Sequence, residues 1–268
     1  MFKAIALDMD GTTLDSDFNL PEKNIESIKK LQKAGIKVII ATGRIFEAAY
    51  PFYKKLKLDT PLICYNGAKI YDKSGNCIYS MDLSKHEVKK IISAGDFKNN
   101  GAVILFFCDD KVIAPFYDEN VREYEERTRT KAVIIPDIAE NPPDVAKIIF
   151  SSLNYDFLDS VAEKLRKTLG DRVYITNSMK RYIEFLNKDI SKGKAIEFVS
   201  KKIGIPLEQF VVIGDNNNDL KMFLPQVFKV AVKNGTEELK KQADMITLTN
   251  DESGVSYAVE KIFFSGSN

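Results

Sequence analysis

The sequence predicts an α/β protein in which a core built on a parallel sheet is interrupted by an inserted α+β module. Over residues 1–81 and 189–268, short apolar runs typical of buried strands alternate with helical patterns. Between them the alternation is less regular, and helices combine with antiparallel strands. We therefore expect two domains, a core formed by 1–81 and 189–268 and an insertion formed by 82–188.

The first half of the core contains three apolar runs that we expect to form buried strands, each followed by a polar turn. The run Phe2–Leu7 is nearly continuous and stops at Asp8. Pro21 suits the first turn of a helix, which Gly35 would end. The remaining expected elements are a strand at 36–41, a helix at 46–56, a strand at 62–65 and a hairpin at 68–81.

The insertion is expected to pack helices on antiparallel strands. Its helices are placed at 85–99, 119–129 and 155–169, and its strands at 102–108, 112–116, 146–151, 173–176 and 182–186. The last two strands are expected to pair with each other, and Pro136–Pro143 to form a loop. Phe106 and Phe107 are interpreted as core residues, because aromatic residues in strands more often fill a core than bind a ligand.

Parallel α/β character returns after Asp189. A helix begins near Lys192 and runs through Lys202, and the buried strand 209–213 ends in the polar stretch 214–219. The expected core is completed by a helix at 220–224, a strand at 228–232, a helix at 236–242, a strand at 245–248 and a helix at 253–263. Both flanks of the insertion thus contribute strands to one sheet.

Composition and charge exclude several classes of function. The 39 Lys and Arg residues nearly balance the 38 Asp and Glu residues, so the net charge of +1 favours neither nucleic acid nor an anionic membrane as a partner. No apolar run approaches the ~20 residues that a membrane-spanning helix needs. The three cysteines are odd in number and widely spaced, which indicates a reducing cytoplasm. The single histidine, His86, rules out a metal site built on two histidines.

Polar residues follow the expected strands at their carboxyl ends, where ligands bind in parallel α/β sheets. Asp8 and Asp10 follow the first strand, Thr42 the second, Asn66 the third and Asp215 a later one. Because side chains alternate along a strand, we expect Asp8 and Asp10 to point to the same side. Two neighbouring carboxylates at a buried strand end are costly unless a cation pairs with them, and oxygen ligands suit Mg²⁺.

Each of these motifs also has a plainer interpretation. Asp8 and Asp10 could form a polar turn, and Ser191–Lys194 could begin a solvated helix. The stretch 214–219 could be an asparagine-rich loop or a calcium-binding turn, although it lacks the spacing of an EF-hand. Taken together, the motifs favour a common site, because four of them would otherwise fall in this order at strand ends by accident.

Five motifs resemble those of the haloacid dehalogenase (HAD) superfamily of phosphohydrolases, in its Cof-like class IIB branch. They are Asp-Met-Asp-Gly-Thr-Thr-Leu at 8–14, Ala-Thr-Gly-Arg at 41–44, Tyr-Asn-Gly-Ala at 65–68, Ser-Lys-Gly-Lys-Ala at 191–195 and Gly-Asp-Asn-Asn-Asn-Asp at 214–219. The resemblance covers nearly the whole chain. It implies a Rossmann-like core with an inserted cap of the C2B type, a Mg²⁺ cofactor and a small phosphate ester as substrate.

The resemblance also implies roles for the matching residues. The implied metal ligands are Asp8, the Asp10 main chain and Asp215, to which we add Asp219 as a candidate. The implied phosphate contacts are the Met9 main chain, Thr42, Gly43, Lys192 and Asn218, to which its place at a strand end adds Asn66. The expected catalytic residues are Asp8, Asp10, Thr42 and Lys192.

The chemistry of a phosphate ester suits these roles. Asp8 would attack phosphorus and form an aspartyl-phosphate, and Asp10 would handle the proton that a histidine often carries elsewhere. Mg²⁺ would offset the repulsion between Asp8 and the phosphate, about 4 kcal/mol per charge pair at ~4 Å in a medium of dielectric constant ~20. Thr42 and Lys192 would stabilise the phosphoryl group by hydrogen bonding and charge.

The sequence therefore predicts a Mg²⁺-dependent phosphatase of small phosphorylated metabolites, with sugar phosphates as the expected substrates. A sugar phosphomutase shares every motif, and a non-catalytic phosphate-binding regulatory module is the alternative of another class. Within the cap, Glu184 and Arg181 are candidates for contacting the substrate, with a solvated strand position as the alternative for each.

Overall fold

The computed structural model describes residues 2–265, except for the side chains of 171 and 177–179. The strands are β1 (Ala4–Leu7), β2 (Lys37–Ile40), β3 (Leu62–Cys64), β4 (Lys69–Tyr71), β5 (Cys77–Ser80), β6 (Ala102–Cys108), β7 (Lys111–Ala114), β8 (Ala132–Ile134), β9 (Lys147–Ser152), β10 (Val173–Met179), β11 (Tyr182–Asn187), β12 (Phe210–Gly214), β13 (Phe228–Ala231) and β14 (Met245–Ile246). The α-helices are α1 (Glu22–Lys33), α2 (Phe46–Lys55), α3 (Lys85–Ile92), α4 (Glu119–Thr128), α5 (Tyr155–Leu169), α6 (Lys192–Ile203), α7 (Glu237–Gln242) and α8 (Gly254–Val259).

The chain divides into two compact units. The first consists of the residues through Gly43, Ala49–Ile78 and the residues from Ser191 onward. The second consists of Arg44–Ala48 and Tyr79–Ile190. The domain boundaries that we expect from the sequence, 1–81 with 189–268 and 82–188, stay a prediction.

A five-stranded sheet organises the first unit, in the order β14-β13-β12-β1-β2, and all of its pairings are parallel. Strand β1, which lies between β12 and β2, is fully buried, which explains why its sequence is apolar on both faces. In the register of the sheet, Leu7 lies beside Ile40 on one side and Ile213 on the other. The residues that follow these three strands therefore start from the same edge.

A six-stranded sheet organises the second unit, in the order β10-β11-β9-β6-β7-β8. Its pairings are antiparallel except for that of β7 with β8. Alternate residues of β6, β9 and β11 form one apolar face that packs with buried residues of α3 and α5. The predicted fold class, a parallel α/β core with an inserted α+β module, is confirmed.

The predicted helix at 85–99 is too long at its carboxyl end. Helix α3 ends at Ile92, and Gly95 follows within three residues. Glycine is a poor helix former, and a Cβ atom at Gly95 would lie only 3.0 Å from the Val161 side chain. The chain therefore leaves the helix where it has to pack closely against α5.

The predicted helix at 220–224 is wrong. A 3-10 turn at Asn217–Met222 takes its place, and Asn216 and Asp219 form a capping box at its start. Asparagine side chains compete for backbone hydrogen bonds, which favours short turns over α-helix.

Two strand predictions also differ from the structure. Strand β8 falls in a stretch for which the sequence predicts no element, and it pairs with β7 at the edge of the second sheet. Strand β14 covers only two residues of the predicted 245–248. Edge strands bury less apolar surface, so their sequence patterns are weaker. Among the described residues, no helix is long and apolar enough to cross a membrane.

Candidate active site

The residues predicted at strand ends meet at the carboxyl edge of the first sheet. Asp8 directly follows β1, and its N–H donates to the carbonyl of Ile213 at 3.0 Å. Thr42 lies two residues beyond β2 and donates its N–H to the carbonyl of Ile63 in β3 at 2.9 Å. Asp215 directly follows β12. This edge of the first unit therefore carries the polar residues of several neighbouring strands.

The turn after β1 is neither strand nor regular helix. Asp10 has an extended backbone, with φ −75° and ψ 122°, and Gly11 has a φ of +77°. A Cβ atom at Gly11 would lie 2.5 Å from Oδ2 of Asp215, so both the positive φ and the close approach require glycine. The alternation of strand side chains is therefore not what brings Asp8 and Asp10 together, since both lie beyond the end of the strand.

Four charged side chains from distant parts of the sequence form a cluster, in which Asp8, Lys192 and Asp219 are buried and Asp215 is partly buried. The Lys192 ammonium donates to Oδ1 of Asp8 at 2.5 Å and to Oδ1 of Asp219 at 2.6 Å. Asp215 accepts a hydrogen bond at 2.9 Å from the hydroxyl of Thr12. Carboxylate oxygens of the three aspartates all lie within 4.8 Å of one another. Among the described residues, Asp215 has no cationic partner, so the cluster has more negative than positive charge.

Asp219 holds this cluster together through both of its carboxylate oxygens. Oδ1 accepts from Lys192, and Oδ2 accepts from the backbone N–H groups of Asp215 at 2.9 Å and Asn216 at 3.1 Å. A Cβ atom at Gly214 would lie 2.7 Å from the Asp219 side chain, so glycine is needed for this close approach. Asp219 therefore fixes the direction of the loop that carries Asp215.

The electrostatics follow from burial and from this excess of carboxylates. Burial raises the pKa of Asp8 to about 7, the charges of Asp219 and Asp10 add to the rise, and Lys192 opposes it. Burial, followed by the charge of Asp8, raises the pKa of Asp215 well above its usual range. Burial alone would lower the pKa of Lys192, but the charges of Asp219 and Asp8 outweigh it and raise that pKa.

Two glycines allow Lys192 to reach the aspartates from the start of α6. A Cβ atom at Gly67 would lie 2.5 Å from the carbonyl oxygen of Ser191, and one at Gly193 would lie 1.9 Å from that of Lys221. The backbone around Lys192 thus packs closely against the turn after β3 and the turn after β12. Any side chain at either glycine would push α6 away from the cluster.

Predicted phosphate-binding residues form a second group in the same unit. Asn66 adopts a left-handed backbone with φ +56°, and its N–H donates to the carbonyl of Thr42 at 2.9 Å. Its Oδ1 accepts from Nδ2 of Asn218 at 3.1 Å. A Cβ atom at Gly43 would lie 3.0 Å from Oδ1 of Asn66. The group therefore joins the turns after β2, β3 and β12, while the carbonyl of Met9 accepts from Leu14 within the first turn.

The acidic cluster is chemically suited to a divalent cation. Asp8, Asp215 and Asp219 each offer a carboxylate oxygen, and hard oxygen ligands are the ones that Mg²⁺ takes in proteins. Their excess negative charge in a buried place is expensive unless a cation offsets it. The donor set therefore fits a metal ion of this class.

Three asparagines that the sequence does not single out contact the first turn. Asn24, Asn234 and Asn250 each donate a side-chain N–H to a backbone carbonyl of residues 11–14. Asn234 and Asn250 follow β13 and β14 within four residues, so the rule that polar residues after strands form the site could have found them. Asn24 lies in the first turn of α1, where nothing in the sequence distinguishes it.

The candidates in the second unit have protein partners. Glu184 is buried and accepts from Lys147 at 3.0 Å, which excludes the solvated strand position considered for it. The Arg181 guanidinium donates to Oδ1 of Asn120 at 3.0 Å and lies 3.4 Å from Oε2 of Glu123. Phe106 and Phe107 are both fully buried, as expected of core residues.

Fold and site together define an α/β enzyme with an acidic, lysine-bearing site at the carboxyl edge of its parallel sheet. A family model of haloacid dehalogenase-like hydrolases matches residues 5–259. The chain belongs to this family, as the sequence motifs predict.

Relatives and solved structures match the chain along its whole length. It is 28% identical to 5-amino-6-(5-phospho-D-ribitylamino)uracil phosphatase YitU from Bacillus subtilis, over 97% of each chain. It is 30% identical to TM0651 from Thermotoga maritima, over 98% of each chain, with a TM-score of 0.83. A haloacid dehalogenase-like hydrolase from B. subtilis is 25% identical over 97% of this chain and 100% of its own, with a TM-score of 0.87. The predicted enzyme class, a phosphoric monoester hydrolase of the HAD type, is confirmed.

Proposed function

We propose that the chain is a Mg²⁺-dependent phosphatase that hydrolyses small phosphorylated metabolites, sugar phosphates in particular, through an aspartyl-phosphate. The observation that carries this proposal is the buried cluster in which Lys192 bonds to Asp8 and Asp219 beside Asp215. A structural ion pair needs one carboxylate for each ammonium, whereas this cluster has three for one. Such an excess is suited to a cation and a phosphate.

The proposed metal ligands are Asp8, the main-chain carbonyl of Asp10 and Asp215, with Asp219 as a further ligand or as the residue that orients them. Bound there, Mg²⁺ would supply positive charge that offsets the repulsion between the carboxylates and the phosphate oxygens. Lys192 contributes a fixed positive charge on the same side. Because burial raises the pKa of Asp8 and of Asp215, a bound cation would also favour the ionised carboxylate of Asp8, which is the form that attacks phosphorus.

The proposed reaction has two steps. A carboxylate oxygen of Asp8 forms a bond to phosphorus while the bond to the ester oxygen breaks, and the carboxylic acid of Asp10 gives its proton to the departing oxygen. The Asp10 carboxylate then takes a proton from water as the water oxygen attacks phosphorus. The bond to Asp8 breaks, and phosphate and the free Asp8 carboxylate result.

The proposed phosphate contacts come from the second group of residues. Thr42, the N–H of Gly43 and the side chain of Asn218 are assigned to the phosphoryl oxygens, together with the Met9 main chain. Asn66 is assigned to hold Asn218 in place, since the two carboxamides are hydrogen-bonded. Short polar groups on rigid turns can hold a phosphoryl group without the entropy cost of long side chains.

The proposed substrate class has independent support from a relative. YitU carries the name of a phosphatase whose substrate bears its phosphate on a ribityl chain. Most of the second unit, Tyr79–Ile190, lies between Asn66 and Lys192 in the sequence, and this unit is proposed to act as the cap that selects the substrate. Phosphorylated sugars and sugar alcohols are accordingly the first compounds to test.

Purified protein should release phosphate from p-nitrophenyl phosphate with Mg²⁺ and lose this activity in EDTA. Asp8→Asn should lower kcat by about 10⁴-fold or more, because a carboxamide is a very poor nucleophile. Asp17→Asn, an exposed aspartate a few residues away, is the matched control and should retain full activity. Acid-quenched protein should carry phosphate on the peptide that contains Asp8.

Robust turnover by Asp8→Asn would exclude the covalent mechanism. A panel of sugar phosphates then tests the substrate class by released phosphate. Isomerisation of a sugar bisphosphate without phosphate release would identify a phosphomutase instead. Binding of phosphate without any turnover would identify a regulatory module.

A further inference from the structure

The turn that carries Asp8 and Asp10 takes little support from its own backbone. The dihedral angles of Asp10 and Gly11 interrupt any helical pattern, and Gly11, Thr13 and Leu14 direct their carbonyls to side chains instead. Within the turn, Leu14 N–H donates to Met9 and the Thr13 hydroxyl donates to the carbonyl of Asp8 at 2.5 Å. The path of the chain at Asp10 therefore depends on groups outside the turn.

Those groups are the carboxamides of Asn24, Asn234 and Asn250, which we call the asparagine clamp. Nδ2 of Asn234 donates to the carbonyl of Gly11 at 2.8 Å. Nδ2 of Asn24 donates to the carbonyl of Thr13 at 2.9 Å, and Nδ2 of Asn250 to that of Leu14 at 3.0 Å.

Two members of the clamp also accept hydrogen bonds on their other side. Oδ1 of Asn234 accepts from the N–H of Asn250 at 2.9 Å, and Oδ1 of Asn24 accepts from the N–H of Ser256 at 3.0 Å. The first turn is thus bridged to α1 and to the loops that follow β13 and β14. A carboxamide suits this place because it donates from its nitrogen and accepts at its oxygen, whereas an ionised carboxylate of the same shape only accepts.

We propose that the asparagine clamp sets the main-chain path at Asp10, and so aims the Asp10 carboxyl at the leaving oxygen. The clamp residues are positioning residues, since they act through the turn. This inference rests on the proposed function, in which Asp10 is the acid. Displacing a catalytic group by about 1 Å can cost ~10²-fold in rate, so losing one clamp bond affects the proton transfer first.

Asn234 is the member best suited to a test. It is exposed, whereas Asn24 and Asn250 are buried, so its replacement should leave the protein folded. Asn234→Ala removes both hydrogen bonds. Asn234→Asp keeps the shape and the acceptor but points a carboxylate oxygen at the carbonyl of Gly11. Asn19→Ala is the matched control, because Asn19 is exposed in the same region and its carboxamide does not bond to the turn.

The measurement compares two substrates in the intact protein with Mg²⁺. Nitrophenolate leaves without a proton, whereas the alkoxide of glycerol phosphate needs one from the acid. For both Asn234 variants we expect kcat on glycerol phosphate to fall about 10-fold or more beyond any fall on p-nitrophenyl phosphate, with KM nearly unchanged. Asn19→Ala should keep the wild-type ratio of the two rates.

An equal fall on both substrates would show that Asn234 only supports the fold, and would overturn the proposal. An unchanged ratio and unchanged rates in both variants would overturn it as well. Thermal melting of each variant separates loss of folded protein from loss of rate. If the wild-type protein hydrolyses neither substrate, the proposed function fails rather than the clamp, so the two failures are distinguishable.

Discussion

Each unit of the molecule buries charged side chains, and the two groups differ in balance. In the second unit, the ammonium of Lys147 lies 3.0 Å from the carboxylate of Glu184, and both side chains are at most 4% exposed. In the first unit, the equally buried Lys192 faces three aspartates. The pair sits on the sheet face opposite the apolar cluster, whereas the aspartates sit at strand ends.

The difference distinguishes a structural ion pair from the charged group that we propose as the active site. Lys147 and Glu184 neutralise each other, so each offsets the cost of burying its partner. The aspartates exceed the positive charge available from Lys192, so burial raises the pKa of Asp8 and of Asp215 instead. Such an unbalanced group lowers the stability of the folded protein, which is expected of residues that are kept for binding a ligand.

The largest effect on stability is expected from breaking the balanced pair. Glu184→Gln leaves the ammonium of Lys147 buried without its carboxylate, which should lower the free energy of unfolding by about 3–5 kcal/mol. Urea denaturation measures this directly. The double replacement Lys147→Met with Glu184→Leu should recover most of the loss, because it removes both charges. A single variant as stable as the wild type would show that the pair contributes nothing.

A different pH dependence is expected for the unbalanced cluster. The pKa of Asp8 is raised to about 7 in the folded protein, so the folded state holds a proton that the unfolded state releases at lower pH. Stability from this group is therefore complete below the unfolded pKa and is lost as pH rises through 7. At about 1.4 kcal/mol per pKa unit, the loss amounts to at most about 4 kcal/mol.

Thermal melting in EDTA between pH 5 and pH 8 tests this dependence by comparing the wild-type protein with Asp8→Asn. The wild-type melting temperature should fall relative to the variant as pH rises, and Mg²⁺ should remove the difference, because a cation favours the ionised carboxylate. Parallel curves for the two proteins in EDTA would contradict the raised pKa.

A smaller effect of opposite sign is expected from Asp215→Asn. Burial and the charge of Asp8 raise the pKa of Asp215, so at pH 8 without divalent cations the neutral amide avoids the cost of ionising this carboxyl and should stabilise the protein. The amide oxygen can still accept from the hydroxyl of Thr12. Stabilisation by Mg²⁺ should be lost at the same time. Calorimetry with and without Mg²⁺ measures both the stability of the variant and its stabilisation by Mg²⁺. The control Asp17→Asn should change neither quantity.

The strand-end residues of the site could be predicted because two simple rules coincide there. Apolar runs mark buried parallel strands, and polar residues directly after them lie at one edge of the sheet. Asp8, Thr42 and Asp215 satisfy both rules. Asn66 follows β3, which pairs antiparallel with β4 and forms a parallel bridge only between Ile63 and Ala41. Which carboxylate holds the loop of Asp215 could not be predicted from the sequence, since this depends on which oxygens of Asp219 accept from the backbone.

The asparagine clamp could not be predicted for a different reason. Asn250 lies 236 residues from the Leu14 carbonyl that it contacts, and Asn24 lies within a helix. A hydrogen bond between distant residues has no local pattern, because the tertiary fold alone brings its partners together. The 3-10 turn at Asn217–Met222 was missed for a local reason, since the capping box of Asn216 and Asp219 prevails over the helical spacing of the apolar residues that follow.

The smallest effect is expected from an ion pair outside both buried groups. Lys30 in α1 and Glu260 lie 2.7 Å apart, but each side chain is 48% exposed. Water and salt screen such a pair, so Glu260→Gln should change the free energy of unfolding by less than about 1 kcal/mol. The change should shrink further in 1 M NaCl, since the Debye length falls to about 3 Å. Urea denaturation of this variant beside Glu184→Gln gives the contrast in one experiment. If Glu260→Gln lost as much stability as Glu184→Gln, burial would not be what distinguishes the two ion pairs.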